Sequence, residues 1–429
     1  MFKLIDKIIS NFYTKKIKFV YILFLLLVAI LSIIFTYHLI LMHPYLFDAN
    51  NKINLYHIPF GYGPLIENLY NGNGYHRIWN GVETYLSRLP FLPIFVSNLY
   101  KVSKNIYIFL IIKNLIFFSI YFYFSHQFCK FEKKSHICFI IINSIIFYNF
   151  YNLTTNLNFF FGDAFIGIVL PSIFIILNSN LNYKEIFTGL LLFCVYLMKT
   201  TMLFPTLTIA ILYFIFEKNS KILKRLIPLI FLSISIISWG SFGYIKTGIF
   251  SIGPKLSSDN QQAFAIVMNK DFHKFYPKIS VDLIPTTKVN KIFKDEWDTY
   301  NFYKELNSKY IEKNKDRIFK DTLIKLKFIF FNIRKDSVHP KEGGKNENPI
   351  LFSHIFNRTI AITSLILSMI TILKNLTKIM SYKLEIYYLG IFFTSILPHI
   401  IGWATSKHLV AISIISHLYL FFKFKNYLK

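Results

Sequence analysis

His43-Pro44-Tyr45-Leu46-Phe47-Asp48-Ala49-Asn50 follows without a break on an apolar run from Phe19 to Met42. That run of 24 residues exceeds the roughly 20 that an α-helix needs to cross about 30 Å of hydrocarbon. The join therefore reads as the mouth of a membrane anchor, with Asp48 a turn or two beyond the edge. A carboxylate placed there stays ionised and still lies close to the headgroups. The run is too long for the apolar core of a signal peptide and no small-residue cleavage site follows it. The basic start (Lys3, Lys7, Lys15, Lys16, Lys18) then belongs to a retained anchor.

Outward from this join the same pattern repeats. Apolar stretches at 19–42, 106–129, 137–152, 162–178, 186–198, 200–216, 226–245, 354–373, 384–401 and 405–424 read as ten spans of an all-α polytopic membrane protein. The 186–216 pair reads either as a hairpin or as one broken helix. Sidedness follows from lysine. With the N-terminus inside, the inner loops carry Lys130, Lys133, Lys134, Lys184, Lys218, Lys221, Lys224, Arg225, Lys374, Lys378, Lys383, Lys423, Lys425 and Lys429. The short outer loops carry only Lys199 and Lys407, as the positive-inside rule requires. Long segments escape that rule, so the charges in 43–105 and 246–353 do not count against it.

The composition agrees: 54% hydrophobic, 19% aromatic and a mean hydropathy of +0.44. A formal charge of +26 raises nucleic acid as a partner, but the short-loop lysines account for it as membrane orientation, and no nucleic-acid binding is expected. The abundance of Lys, Ile, Asn and Phe beside very few Arg has the look of a genome-wide bias. Cys129, Cys138 and Cys194 lie in or beside apolar spans without a CxxC, which points to neither a disulfide framework nor a zinc site.

Three parts follow: a transmembrane core with the first outer loop (1–245), an extracytoplasmic helical segment (246–353) and C-terminal spans (354–429). Within the first loop, Pro64–Tyr70 and Phe91–Tyr100, the latter prefaced by Tyr85-Leu86, have the spacing of helices lying in the interface. Asn71-Gly72-Asn73-Gly74 between them is turn chemistry. In the outer segment, Lys294–Asn332 reads as helical, and its end, Ile318–Ile333, as a basic amphipathic helix on the membrane. Lys341–Pro349 is a Gly/Asn/Pro loop.

Asp48, Asp163, Lys199, Lys407 and His408 stand on different spans, yet all at outer ends. Any one of them also fits an anchor or a cap, since charges at span ends cost little; five on one face point to a polar site at the outer leaflet. No P-loop, GxGxxG or HExxH occurs. His43, His57 and His76 share a loop but match no metal-ligand spacing, so neither metal nor other cofactor is expected.

The arrangement has a counterpart. The anchor followed by Phe47-Asp48, then Leu69-Tyr70-Asn71-Gly72-Asn73-Gly74-Tyr75 and Arg88-Leu89-Pro90-Phe91-Leu92-Pro93-Ile94-Phe95, resembles the opening of the C-type (GT-C) integral-membrane glycosyltransferases. Aminoarabinose transferases and protein O-mannosyltransferases belong to that superfamily. Phe161-Gly162-Asp163-Ala164 is similar to its second acidic position. Gly189-Leu190 to Leu197-Met198-Lys199-Thr200-Thr201 is similar to its G-L-L…L-x-R-P-T hairpin, with Lys199 for Arg and Thr200 for Pro. Ser406-Lys407-His408-Leu409 is similar to an R-H that opens a late span, and Asp295–Lys327 to the helical outer segment of bacterial members.

The resemblance implies an enzyme of the bacterial inner membrane, with both termini cytoplasmic. It would take sugar from a polyprenyl-phosphate donor to a glycolipid, polysaccharide or protein, with inversion. Asp48 is then the base that takes the acceptor's proton. Lys199, Lys407, His408 and Arg88 face the departing phosphate, where charge develops. Asp163 orients the sugar or tunes Asp48, and Tyr56, Glu67 and Tyr75 line the substrate loop. Two other readings remain open. A polysaccharide ligase or polymerase would rely on His273, His339 or Arg334 of the outer segment. A transporter or flippase would show repeats and spans broken in both halves; no repeat is evident, although Pro171, Pro205 and Pro228 interrupt spans.

Overall fold

The computed structural model describes the chain except for residues 1, 43–46, 49–51, 59–60, 80, 131–134, 151–152, 154–161, 219, 254–292, 314, 316–321, 324–325, 327–347, 402–409 and 426–429. The described chain is mostly helical. Helices α1 (Phe2–Met42), α2 (Tyr62–Asn71), α3 (Phe91–Ser103), α4 (Ile106–Cys129), α5 (Ser135–Tyr148), α6 (Gly162–Leu177) and α7 (Lys184–Met198) make up its first part. They are followed by α8 (Leu203–Phe216), α9 (Ile222–Thr247), α10 (Glu296–Lys313), α11 (Asn348–Leu373), α12 (Lys383–Ile401) and α13 (Val410–Phe424). Among the described residues, four stretches are long and apolar enough to cross a membrane: Phe19–Leu41, Ile106–Cys129, Ile222–Thr247 and Ile355–Leu373. Shorter apolar helices occupy His136–Tyr148, Ala164–Leu177, Thr200–Phe216 and Val410–Phe424.

Helix α6 is the pillar. Every residue from Ala164 to Leu177 is buried, because the helix is apolar all round and has no face suited to water. It packs against α4, α7 and α13. Around that core α1 packs on α4, α9 on α7 and α8, α12 on α8, and α11 on α12 and α13. Helix α1 is inside-out by the standards of a water-soluble protein. Leu26, Ile30, Ile34 and Leu41 are exposed, whereas Ser32 and Thr36 are buried against the bundle. The Asn114 amide of α4 donates to Ser32 Oγ at 2.9 Å. Small polar residues at the helix contact and large apolar ones outside are what a lipid surrounding selects.

The 186–216 stretch resolves into two helices. Lys199 is extended (φ −157°, ψ 131°), which breaks the helical ladder, and a 3-10 turn at Thr200–Met202 restarts the chain toward α8. The loop after α1 departs from an all-helical expectation. Arg77–Trp79 (β1) and Val82–Thr84 (β2) form an antiparallel hairpin, with Arg77 opposite Thr84 and Trp79 opposite Val82. Asn80-Gly81 between them is a two-residue hairpin signal, and Gly81 takes the positive φ, 77°, that such a turn demands. After α9 the described chain forms α10; most of Ile318–Ile333 and of Lys341–Pro349 falls outside the described residues, and Asn348 and Pro349, read as the end of a loop, open α11.

At the end of the bundle that carries the basic short loops, carboxylates pair with the lysines. Glu217, just past α8, takes Lys184 of α7 at 3.2 Å and Lys383 of α12. Glu185 meets Lys224 at 3.6 Å, and Glu385 meets Lys423 of α13. Burial pushes the Glu217 carboxyl up, but Lys184 and Lys383 together hold it below its ordinary value. A carboxyl with a lowered folded pKa stabilises the fold above its unfolded pKa and loses that contribution as pH falls through the folded one. Replacing Glu217 by Gln leaves two ammonium groups facing each other. The expected loss is about 2 kcal/mol at pH 7, read from thermal unfolding in detergent, and the gap to wild type should close progressively below pH 4.5.

Candidate functional site

Past α1 the chain turns back on itself. Phe47 bridges Ile53, the Asp48 N–H donates to the Lys52 carbonyl at 2.9 Å, and the Lys52 N–H donates to Asp48 Oδ1 at 2.8 Å. Ile53 N–H donates to the Tyr100 hydroxyl at 3.0 Å, which pins this turn to α3. Asp48 is exposed and lies within electrostatic reach of the Tyr100 phenol. One of its oxygens therefore already has a structural task. Tyr56 is exposed and rests edge-on to His57, and Glu67 is half-buried on α2.

Two short helices, α2 and α3, pack against each other, and α3 reaches both α4 and α7. Between α2 and the hairpin lies a polar cluster. The Tyr75 hydroxyl donates to the Arg88 carbonyl at 2.6 Å, and its ring meets Trp239 and Phe242 of α9 edge-on at 6.2 and 5.7 Å. The Arg88 guanidinium stands over the Tyr62 ring at 5.4 Å and donates to the Ser87 carbonyl at 2.8 Å. Arg77 is 2% exposed. Its guanidinium covers Gly61, where a Cβ would come within 1.6 Å of Nη1. Gly61 also holds a φ of 73°, so space and backbone both demand glycine there.

Burial drives the Tyr75 phenol well above its ordinary value; Tyr62 and Glu296 add to this, while Arg88 and Arg77 oppose it. The phenol is thus a neutral hydrogen-bond donor at any physiological pH. Glu296 opens α10, is 3% exposed, and accepts from the Tyr85 N–H at 3.0 Å and the Leu86 N–H at 3.1 Å.

A second junction forms at the head of α6. A Cβ on Gly162 would lie 3.1 Å from the Met198 carbonyl oxygen and 3.6 Å from Lys199 Cβ. The backbone carrying Asp163 and the backbone carrying Lys199 therefore meet, although 36 positions separate them. The chain after α9 folds over this point. The Tyr196 hydroxyl donates to the Ile252 carbonyl, and Gly253 closes on the Thr200 methyl. Lys113, seven residues into α4, is 3% exposed and holds its ammonium 5.4 Å from the centre of the Phe165 ring, two residues along α6 from Asp163.

The predicted residues thus fall into three groups around α3: Asp48 with Lys52 and Tyr100; Arg88 and Tyr75 with Arg77 and Glu296; and the Asp163–Lys199 junction beside Lys113. Lys407 and His408 lie outside the described residues. Sequence reasoning passed over Arg77, Glu296 and Lys113. Lys113 carried a usable signal, a cation inside a 24-residue apolar helix, which costs about 2.5–3.5 kcal/mol at a helix centre. Arg77 stood out only as one of few arginines. Among the described residues, no group of three or more His, Cys, Asp or Glu is placed to hold a metal.

Compared with protein-family models, with curated proteins and with solved structures, the chain matches none. The chemistry of the site therefore rests on its own geometry. Lys113→Met separates a structural lysine from one retained for function. An apolar residue of similar length should cost less than about 2 kcal/mol by thermal unfolding in detergent where the ammonium is retained for function, and a larger loss would mark Lys113 as a packing element.

Proposed function

We propose that this chain is an integral-membrane glycosyltransferase. It moves a sugar from a polyprenyl-phosphate donor to a glycolipid, polysaccharide or protein acceptor at the outer face of a bacterial inner membrane, with both termini cytoplasmic. One observation supports this reading above the others. The first loop is a folded platform of two interfacial helices that follows a carboxylate turn and carries Arg88 on a neutral tyrosine. A loop without a task at the membrane would not need to bury Arg77 and half-bury Arg88 within itself.

The chemistry needs two kinds of group. As the acceptor oxygen forms its bond to the anomeric carbon, the carbon–oxygen bond to the phosphate breaks and the phosphate leaves with the electron pair. The acceptor's proton passes to a carboxylate. Asp48 is the base in this reading, since it stands exposed in the turn that follows α1. Cations offset the charge gathering on the departing phosphate: Lys199, Lys407 and His408 supply them, and Arg88, next in line, holds the phosphate of the bound donor before the bond breaks. Lysine serves there as a point charge in place of the two-pronged contact that arginine makes. Asp163 orients the sugar or its acceptor, and Tyr56, Glu67 and Tyr75 border the substrate. No metal is required by this scheme.

Because Asp48 Oδ1 also closes a turn, Asp163 is the second candidate for the base, and the two are separable. Asp48→Asn preserves that acceptor oxygen and should reduce transfer from a radiolabelled polyprenyl-phosphate sugar by about 100-fold or more, with insertion intact. Asp163→Asn should lower it less. Full activity in Asp48→Asn with loss in Asp163→Asn would move the base to α6, and full activity in both would remove the reading.

A further inference from the structure

One contact joins parts of the chain that are 210 positions apart. The Glu296 carboxylate accepts from the successive N–H groups of Tyr85 and Leu86 at 3.0 and 3.1 Å. Its place in the first turn of α10 lets the helix's positive end favour the ionised form. Three residues beyond Tyr85 lies Arg88, whose carbonyl takes the Tyr75 hydroxyl. Leu86, Ser87 and Leu89 are buried, so this turn does not slide without moving Arg88. The neighbours of Glu296 fasten the helix: Thr299, Tyr300 and Tyr303 are buried, and the Trp297 ring stacks edge-on to Tyr300 at 5.5 Å.

We propose that Glu296 is a positioning residue: by holding the Tyr85–Leu86 amides it sets where Arg88 stands, so that the outer segment controls donor binding from the far side of the first loop. The role rests on the glycosyltransferase reading for its consequence, though not for the contact itself. Glu296 acts through Arg88 and touches no reacting atom. Its loss therefore shows in the binding of the phosphate end of the donor and not in the bond-making step.

Two measurements on the full-length protein in detergent decide it. In the first, Glu296→Gln should raise KM for a radiolabelled polyprenyl-phosphate hexose by about tenfold with kcat within about twofold, and Glu296→Asp should recover most of that loss. The double variant with Arg88→Gln should be no worse than Arg88→Gln alone, as expected for two residues acting through one contact. Additive losses, or a fall in kcat at constant KM, would overturn the proposal. In the second, hydrogen exchange at Tyr85 and Leu86 should quicken by about tenfold or more in Glu296→Gln, with the Phe109–Phe117 stretch of α4 unchanged. Unaltered exchange would overturn the latch itself. Wild-type protein inert toward every lipid-linked sugar would instead remove the glycosyltransferase reading, while the exchange result would still decide whether Glu296 holds the loop.

Discussion

A helix apolar on every side must be covered on every side, and α6 imposes that requirement on the whole chain. Its residues from Ala164 to Leu177 are all buried, with α4, α7 and α13 against it. Side chains so enclosed offer no place for a charge along the shaft, so polarity is driven to the ends. Gly162 at its head lets the chain of Lys199 come so near that a Cβ there would stand 3.1 Å from the Met198 carbonyl oxygen, closer than side chains normally pack. A larger residue there would push the Met198–Lys199 backbone away from Asp163. The closeness of an acid-bearing and a base-bearing backbone is thus a by-product of packing a fully apolar pillar, and the chemistry proposed for the site uses what the packing has already arranged.

The two ends of the bundle handle charge differently. At the basic-loop end, Glu185, Glu217 and Glu385 each meet lysines from another helix, so opposite charges stitch α7, α8, α9, α12 and α13 together. At the other end, arginines sit among aromatic rings and glycine. Arg88 lies over Tyr62 and Arg77 lies over Gly61, with Glu296 committed to two backbone amides. Pairs at the first end neutralise one another and favour rigidity. The second end sets two arginines and one carboxylate around a phenol that burial holds neutral.

Much of the architecture was legible because lipid imposes long-range periodicity that sequence displays directly. Ile106–Cys129 matches its apolar run residue for residue, and Gly162–Leu177 and Lys383–Ile401 lie within one residue of theirs. The helices read over 64–70 and 91–100 occupy Tyr62–Asn71 and Phe91–Ser103, since apolar spacing between glycine and proline stops leaves little choice. The hairpin was less visible. Its strands are three residues each, too short for alternation to register, and only Asn80-Gly81 announced it. The site was harder still. Glu296 reads as an ordinary acidic helix start, and only its distant amide partners show what it holds. Lys113 was readable by the cost of a cation in hydrocarbon, but attention to span ends hid it.

The loop after α1 and helix α10 support each other. That loop has two short helices and a hairpin of three-residue strands, and such a hairpin is marginal in water without support. Glu296 stops the hairpin's exit, α10 lies against β2, and Trp239 and Phe242 of α9 receive Tyr75 from below. Local stability at this surface is therefore shared. Anything that loosens α10 loosens Arg88, and anything that fills the space beside Arg88 tightens α10, because a ligand that binds one arrangement must favour every contact on which that arrangement depends.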